Sequence, residues 1–357
     1  MAIRYNGRML GAEVRSYSVR VFRAPLKRPF VTALGRKTET CNIGFTLTLR
    51  CGARGYGEAS ASLALAHLEP ARLARTLAGL GRAAVGQDAS CLRPLVERAW
   101  KKHGDQGPAA SAFECALLDA WTRSRGLSLA AWFGGRLKSV ESDITISDWA
   151  DTELSREAAR EAAREGFRVL KVKVGRCPER ALERLRLISR AVGRARPSLV
   201  LDGNQGLSAE SALRLVGSCL KERMKVLLLE QPLPKDDFKG MAALARRSPV
   251  PLAADEMVHS PQDAVKVVEI GAASVINIKV AKSGLLRSLD IAAVARAGGL
   301  GLMIGCMAET SRGLMPSVHL ALGTGFFSYV DLDSDHLLCR HAASADWLRQ
   351  GPMLSLP

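Results

Sequence analysis

The chain has 357 residues, too many for one small core and enough for a barrel with a smaller companion domain. Hydrophobic residues make up 47% and charged residues 24%, and no apolar run is long enough to span a bilayer, which excludes a membrane-embedded or disordered chain. The net charge of +16 invites a nucleic-acid reading, but the bases alternate with acids rather than aromatics, as at 176–196 where Glu179 and Glu183 break the run; no nucleic-acid or membrane partner is expected.

The N-terminus, Met-Ala-Ile-Arg-Tyr-Asn-Gly, carries no apolar signal-peptide core, so a cytoplasmic location is expected. The 8 cysteines form neither a Cys-x-x-Cys pair nor a Cys/His cluster, which argues against a zinc site or a disulfide framework.

Up to about residue 60 the pattern is of strands, with alternation over Val14–Val21 and Ile43–Leu49. Between them, Arg23–Arg36 holds two prolines and four bases and is expected as a loop. The small, glycine-rich stretch Gly55–Leu63 is expected as a second loop. Helical periodicity follows from about 69 to 126. Strands followed by helices define an α+β domain.

From about residue 140 strand and helix alternate. Ile144–Ser147 opens the series, and a helix capped at Ser155 and ended by Gly166 follows. Five short apolar runs then each close on a polar residue: Lys173, Asp202, Glu230, Asp255 and Lys279. The intervals between 173, 202, 230, 255 and 279 are each about one strand-plus-helix unit. Leu300–Ile304 is a seventh strand and Phe327–Asp331 an eighth. Right-handed crossovers close such a series into a parallel barrel whose strand ends share one mouth. The expected organisation is an α+β domain over 1–130, an α/β parallel barrel over 131–334, and a segment, 335–357, packing back on the first domain.

Three carboxylates at one mouth, Asp202, Glu230 and Asp255, with no His or Cys among them, are the donor set of Mg2+. Asn204, Gln231 and Glu256 sit beside them as supporting groups. Lys171 and Lys173 alternate on one strand and share a face, and Lys279 comes from the other side. A lysine with its pKa lowered by burial can act as a base near neutrality. A metal-bound carboxylate acidifies its α-carbon by stabilising an enediolate, so bases on two faces suggest racemisation or epimerisation. One base with a leaving group would suggest elimination or cycloisomerisation.

Lys-Val-Lys at 171–173, Asp-Gly-Asn-Gln at 202–205, Glu-Gln-Pro at 230–232, Ala-Asp-Glu at 254–256 and Ile-Lys-Val-Ala-Lys-Ser-Gly at 278–284 together resemble the enolase superfamily, and within it the muconate-lactonizing-enzyme subgroup. Gly-Tyr-Gly-Glu at 55–58 extends the resemblance into the first domain. Asp-Leu-Asp at 331–333 is similar to the dipeptide epimerases, where such a pair holds the substrate ammonium group; two carboxylates at a strand end suit a cation.

The resemblance implies an α/β fold, a modified TIM barrel (β/α)7β under an N-terminal α+β capping domain, and a Mg2+-dependent epimerase acting on the C-terminal α-carbon of an L-/D-dipeptide of the Ala-Glu kind. Lys173 and Lys279 would move the proton, and Asp331 and Asp333 would hold the amine. Lys171, Met307 and Glu309 would complete the pocket, and any of Arg23, Lys27, Arg28 and Arg36 could pair with an acidic side chain, with Arg36 placed among the substrate-binding residues. A homo-oligomer is expected. N-acylamino acid racemase, o-succinylbenzoate synthase and muconate cycloisomerase remain open as alternatives, as does a basic binding protein on an inactive barrel.

Overall fold

The computed structural model describes residues 4–5, 8–9, 11–65, 67–339 and 344–357. After a short pair, β1 (Arg4–Tyr5) and β2 (Arg8–Met9), the cap is a three-stranded antiparallel sheet of β3 (Val14–Thr32), β4 (Gly35–Leu49) and β5 (Arg54–Ser60). Ile43, Phe45, Leu47 and Leu49 alternate along β4 and are buried against α1 (Pro70–Ala84) and α3 (Gly107–Arg123), between which the chain forms α2 (Leu92–His103).

Both expected loops are strands. Arg23–Arg36 is the far end of a long hairpin: β3 runs to Thr32, and pairing with β4 reaches Thr32 opposite Gly35. The prolines are accommodated because β3 is an edge strand and its register breaks between Pro25 and Phe30, where a missing N–H costs no ladder bond. The Gly55–Leu63 stretch is mostly β5, which lies directly on the backbone of α3. A Cβ on Gly57 would come within 1.8 Å of the Ala112 carbonyl oxygen, so the glycines serve close approach.

The barrel is an eight-stranded parallel sheet in sequential order: β7 (Ile144–Ile146), β8 (Val169–Lys173), β9 (Ser198–Asp202), β10 (Val226–Glu230), β11 (Leu252–Ala254), β12 (Val275–Ile278), β13 (Gly301–Gly305) and β14 (Tyr329–Asp331). Side-chain alternation splits each apolar run between two layers. Leu199, Leu201, Leu229, Leu252 and Ile276 face outward into the core shared with the helices. Val200, Leu228, Ala253, Val275 and Met303 face inward and form an apolar plug. Two residues further along the same inner face come Asp202, Glu230, Asp255, Asn277 and Gly305. The polar site therefore stands on a dry floor.

The helix after β7 is Thr152–Arg164, capped by Asp151, whose side chain accepts from the Glu153 N–H. Ser155, the expected cap, is instead buried within the helix. At the seam, the Asp143 N–H donates to the Val330 carbonyl (2.8 Å) and the Leu332 N–H to Ser142 Oγ (2.9 Å). The chain ends as β15 (Leu348–Gln350) and β16 (Met353–Ser355), paired with β6 (Ser139–Glu141). This end also meets the cap through an Arg123–Asp346 ion pair at 2.6 Å. Among the described residues no helix is long and apolar enough to cross a membrane.

Candidate active site

The strand register brings the five polar ends to one level of the barrel, with Lys173 beside Asp202 on β8–β9 and Asp202 beside Glu230 on β9–β10. Asp202 and Glu230 are wholly buried and Asp255 nearly so. Lys173 Nζ lies 2.6 Å from Asp202 Oδ2, and Lys279 Nζ lies 2.6 Å from Asp255 Oδ2. β8 and β12 stand four strands apart in the eight-stranded order, so the two amines approach from opposite sides. Gly305 makes room for the second: a Cβ there would meet the Lys279 side chain at 2.9 Å. Lys171 has no exposed surface. Its amine bridges Asp331 (2.6 Å), Glu230 (2.8 Å) and Asp202 (3.2 Å) beneath the cleft.

Burial opposes ionisation of Asp202, but Lys173 and Lys171 hold its carboxyl below the usual range. Asp255 is likewise held well below it, against burial, by Lys279 and Lys282. Glu230 goes the other way: burial and the Asp202 charge push it to about 8. Glu256 is pushed to about 7 by burial and Asp255. Lys279, despite burial, is held protonated by Asp255. The set thus carries more buried carboxylates than its lysines satisfy. Glu256 Oε2 and Asn204 Oδ1 have no hydrogen-bond partner. All-oxygen donors on adjacent strands, with buried oxygens unpaired, fit a hard divalent cation.

Across the mouth, Asp331 Oδ2 takes Lys171, while Asp333 Oδ2 accepts the Thr145 N–H at 2.6 Å. Burial opposes the charge on Asp331, but Lys171 keeps it ionised and low. Burial and the Asp331 charge raise Asp333 to about 6. Asp143, buried beside them with Oδ1 unpartnered, is pushed well up by burial and by Asp331. Cys306 Sγ donates to Asp333 Oδ1 at 3.8 Å, and burial with the Asp331 charge keeps it a thiol. This corner lacks one positive charge.

A cleft of about 820 Å³, counting its open mouth, joins these groups. Lys173, Lys279, Asn204, Glu256, Asp331, Asp333, Cys306 and Met307 line it from the barrel, and the hairpin end of β3 and β4 covers it with Leu26, Phe30, Thr32 and Leu34. The hairpin is tied down on both sides. Arg28 forks onto Glu161 (2.8 and 2.9 Å), Trp149 Nε1 donates to the Pro29 carbonyl (2.6 Å), and the Cys339 N–H donates to the Pro25 carbonyl (2.9 Å).

Three expected positions differ. Arg36 is exposed and lies off the cleft; its neighbour Lys37 borders it, because residues alternate across β4. Glu309 is buried behind the wall, where its carboxylate accepts the Met307 N–H at 3.0 Å. Lys171 belongs to the floor and does not reach the cavity.

Four contributors went unassigned in the sequence. Lys282 Nζ donates to both the carbonyl (2.5 Å) and Oδ1 (2.7 Å) of Asp255, anchoring it from the turn after β12. Asn277 Nδ2 donates to Glu230 Oε1 at 2.8 Å, and its place two residues before Lys279 marks it as inward-facing. Arg184 bonds Asp148 (2.5 Å) and the Lys173 carbonyl, so it fixes the end of β8. Its signal was phase: it shares the buried helical face of Ala181, Leu185 and Ile188. Asp143 had no local signal.

The fold and the strand-end site define a class. A profile described as the mandelate racemase / muconate lactonizing enzyme N-terminal domain matches residues 16–134, and one described as enolase C-terminal domain-like matches 153–352. The chain belongs to this mandelate racemase / muconate lactonizing enzyme family. It is 34% identical to an aromatic dipeptide epimerase of Herpetosiphon aurantiacus over 96% of both chains. It is 31% identical to an L-Ala-D/L-Glu epimerase of Thermotoga maritima, covering 92% of this chain and 94% of that one. A dipeptide epimerase structure from Enterococcus faecalis, complexed with Mg and L-Leu-L-Tyr, superposes with a TM-score of 0.90 at 28% identity over 97% of each chain.

Proposed function

We propose that this protein is a Mg2+-dependent dipeptide epimerase that inverts the α-carbon of the C-terminal residue. The observation that carries the reading is two lysines from opposite strands, beside three buried acids and facing a carboxylate pair short of one cation. The named activities of the relatives support it, as does the Mg and dipeptide bound in the Enterococcus structure.

In this reading Asp202, Glu230 and Asp255 hold the metal. When bound, Mg2+ would supply a Lewis acid for the substrate carboxylate. Lys173 then abstracts the α-proton from one face and Lys279 returns one to the other. Asp331 and Asp333 hold the dipeptide ammonium, which supplies the charge their corner lacks. Lys171 keeps both carboxylate groups in register. The protein acts on a small molecule; we further propose a cytoplasmic homo-oligomer, and light scattering after size exclusion tests the assembly.

The test is NMR of dipeptides in D2O with MgCl2. Deuterium entering the C-terminal α-position, and stopping on chelation, is the expected result. Exchange with N-acylamino acids but with no dipeptide would overturn the assignment in favour of a racemase.

A further inference from the structure

The barrel mouth accounts for the ends of a dipeptide but leaves its C-terminal side chain to be placed. A deprotonated α-carbon is planar, and Lys173 and Lys279 occupy its two faces. Three directions remain in the plane. The carboxylate takes the one toward Asp202, Glu230 and Asp255, and the amide takes the one toward Asp331 and Asp333. The side chain must take the third, toward the capping hairpin.

That direction is apolar. Leu26, Phe30, Leu34, Leu63, Ala64 and Leu337 line the cleft there. The centre of the Phe30 ring lies 5.6 Å from Lys173 Nζ. The polar residues on this wall are Thr32, Lys37, Glu39 and Ser62. Each charged one is already engaged, Lys37 on the Ala61 carbonyl and Glu39 on Arg23. Arg28, in the same hairpin, lines a neighbouring cavity and is spent on Glu161. Among the described residues Lys37 is the one cation on this wall, and using it for an acidic side chain would break its bond to the Ala61 carbonyl.

We infer that the enzyme selects dipeptides whose C-terminal residue is large and apolar, of the leucine or phenylalanine kind, rather than glutamate; this rests on the epimerase reading. Burying such a side chain is favoured by about ten- to a hundredfold over leaving it in water. A carboxylate placed there would lose hydration, and its one cationic partner on this wall, Lys37, would have to leave the Ala61 carbonyl. The hairpin's ties at Pro25, Arg28 and Pro29 preset the surface before substrate arrives, so selection shows in KM as well as in kcat.

The experiment measures kcat/KM for α-deuterium exchange on L-Ala-L-Leu, L-Ala-L-Phe, L-Ala-L-Glu and L-Ala-L-Lys. A preference of at least tenfold for Leu or Phe over Glu is the expected result. Exchange that is fastest with Glu or Lys would overturn the inference while leaving the epimerase standing; no exchange with any dipeptide would overturn both. Leu34→Arg gives an independent reading, because residue 34 is partly exposed in the turn between β3 and β4 and tolerates a polar head. Its Glu-to-Leu ratio should rise at least tenfold. An unchanged ratio in an active, folded variant would mean that the hairpin does not contact the side chain, and would overturn the inference.

Discussion

Lys171→Met removes one positive charge from among three carboxylates and replaces it with an apolar side chain of similar length. In the native protein the amine lies 2.6, 2.8 and 3.2 Å from Asp331, Glu230 and Asp202, with no solvent contact. At an effective dielectric of about 20, its pairs with Asp331 and Asp202 are each worth about 5–6 kcal/mol of attraction, most of it offset by the cost of taking the ions out of water. Glu230, pushed up to about 8, is largely a neutral acid at pH 7 and contributes a hydrogen bond instead. The loss on breaking such a buried set is about 3–5 kcal/mol, because the carboxylates stay behind unpaired.

The sign with pH follows from the native shifts. Asp202 and Asp331 are held below their ordinary values, so their pairing contributes stability above about pH 4, the unfolded carboxylate range, and loses it as pH falls through the folded value. The variant should therefore be most impaired near pH 7 and approach the native protein toward pH 4. Urea unfolding in EDTA at both pH values measures this. Adding Mg2+ should recover part of the loss, since Asp202 and Glu230 regain a cation while Asp331 does not. A variant within about 1 kcal/mol of native at pH 7 in EDTA would refute the reasoning, since no buried pair would then have been broken.

Three further outcomes are expected. Asp333, raised to about 6 by burial and by Asp331, loses its charge below that pH, so KM for dipeptides should rise as pH falls through 6, and Asp333→Asn should flatten that limb in steady-state assays. Asp331→Asn combined with Asp333→Asn should weaken binding of free-amine dipeptides by about 2 kcal/mol or more and leave N-acetylated analogues unaffected, as read by KM for each series. Glu58 accepts from Asn42 (2.6 Å), Tyr56 (2.9 Å), and the Thr310 N–H (2.9 Å) and hydroxyl (2.6 Å), tying the cap to the barrel. Glu58→Ala should cost about 3 kcal/mol or more in chemical denaturation, with Glu58→Gln intermediate.

Much of the site was legible because its signals are local. The barrel's side-chain period of two and its repeat of about 25 residues are written along the chain, so Lys173, Asp202, Glu230, Asp255 and Lys279 announced a common mouth before any contact was known. Asp331 and Asp333 were equally visible as a charged end to an apolar run. The hairpin reads as a loop in the sequence because prolines and bases are loop signals locally, and only its edge position and broken register let Arg23–Arg36 pair as strands.

What determined the rest was which elements meet. That Lys171 is a floor residue and Arg36 an outward one depends on burial across the sheet, and Lys282, Arg184 and Asp143 gain their roles from partners 27, 36 and 188 residues away in Asp255, Asp148 and, at the seam, Asp331. The chemistry at the mouth was thus readable from the sequence by itself, because strand ends repeat. The apolar roof over it was decided only in three dimensions, where a hairpin from the cap is latched across the barrel by groups distant in the chain.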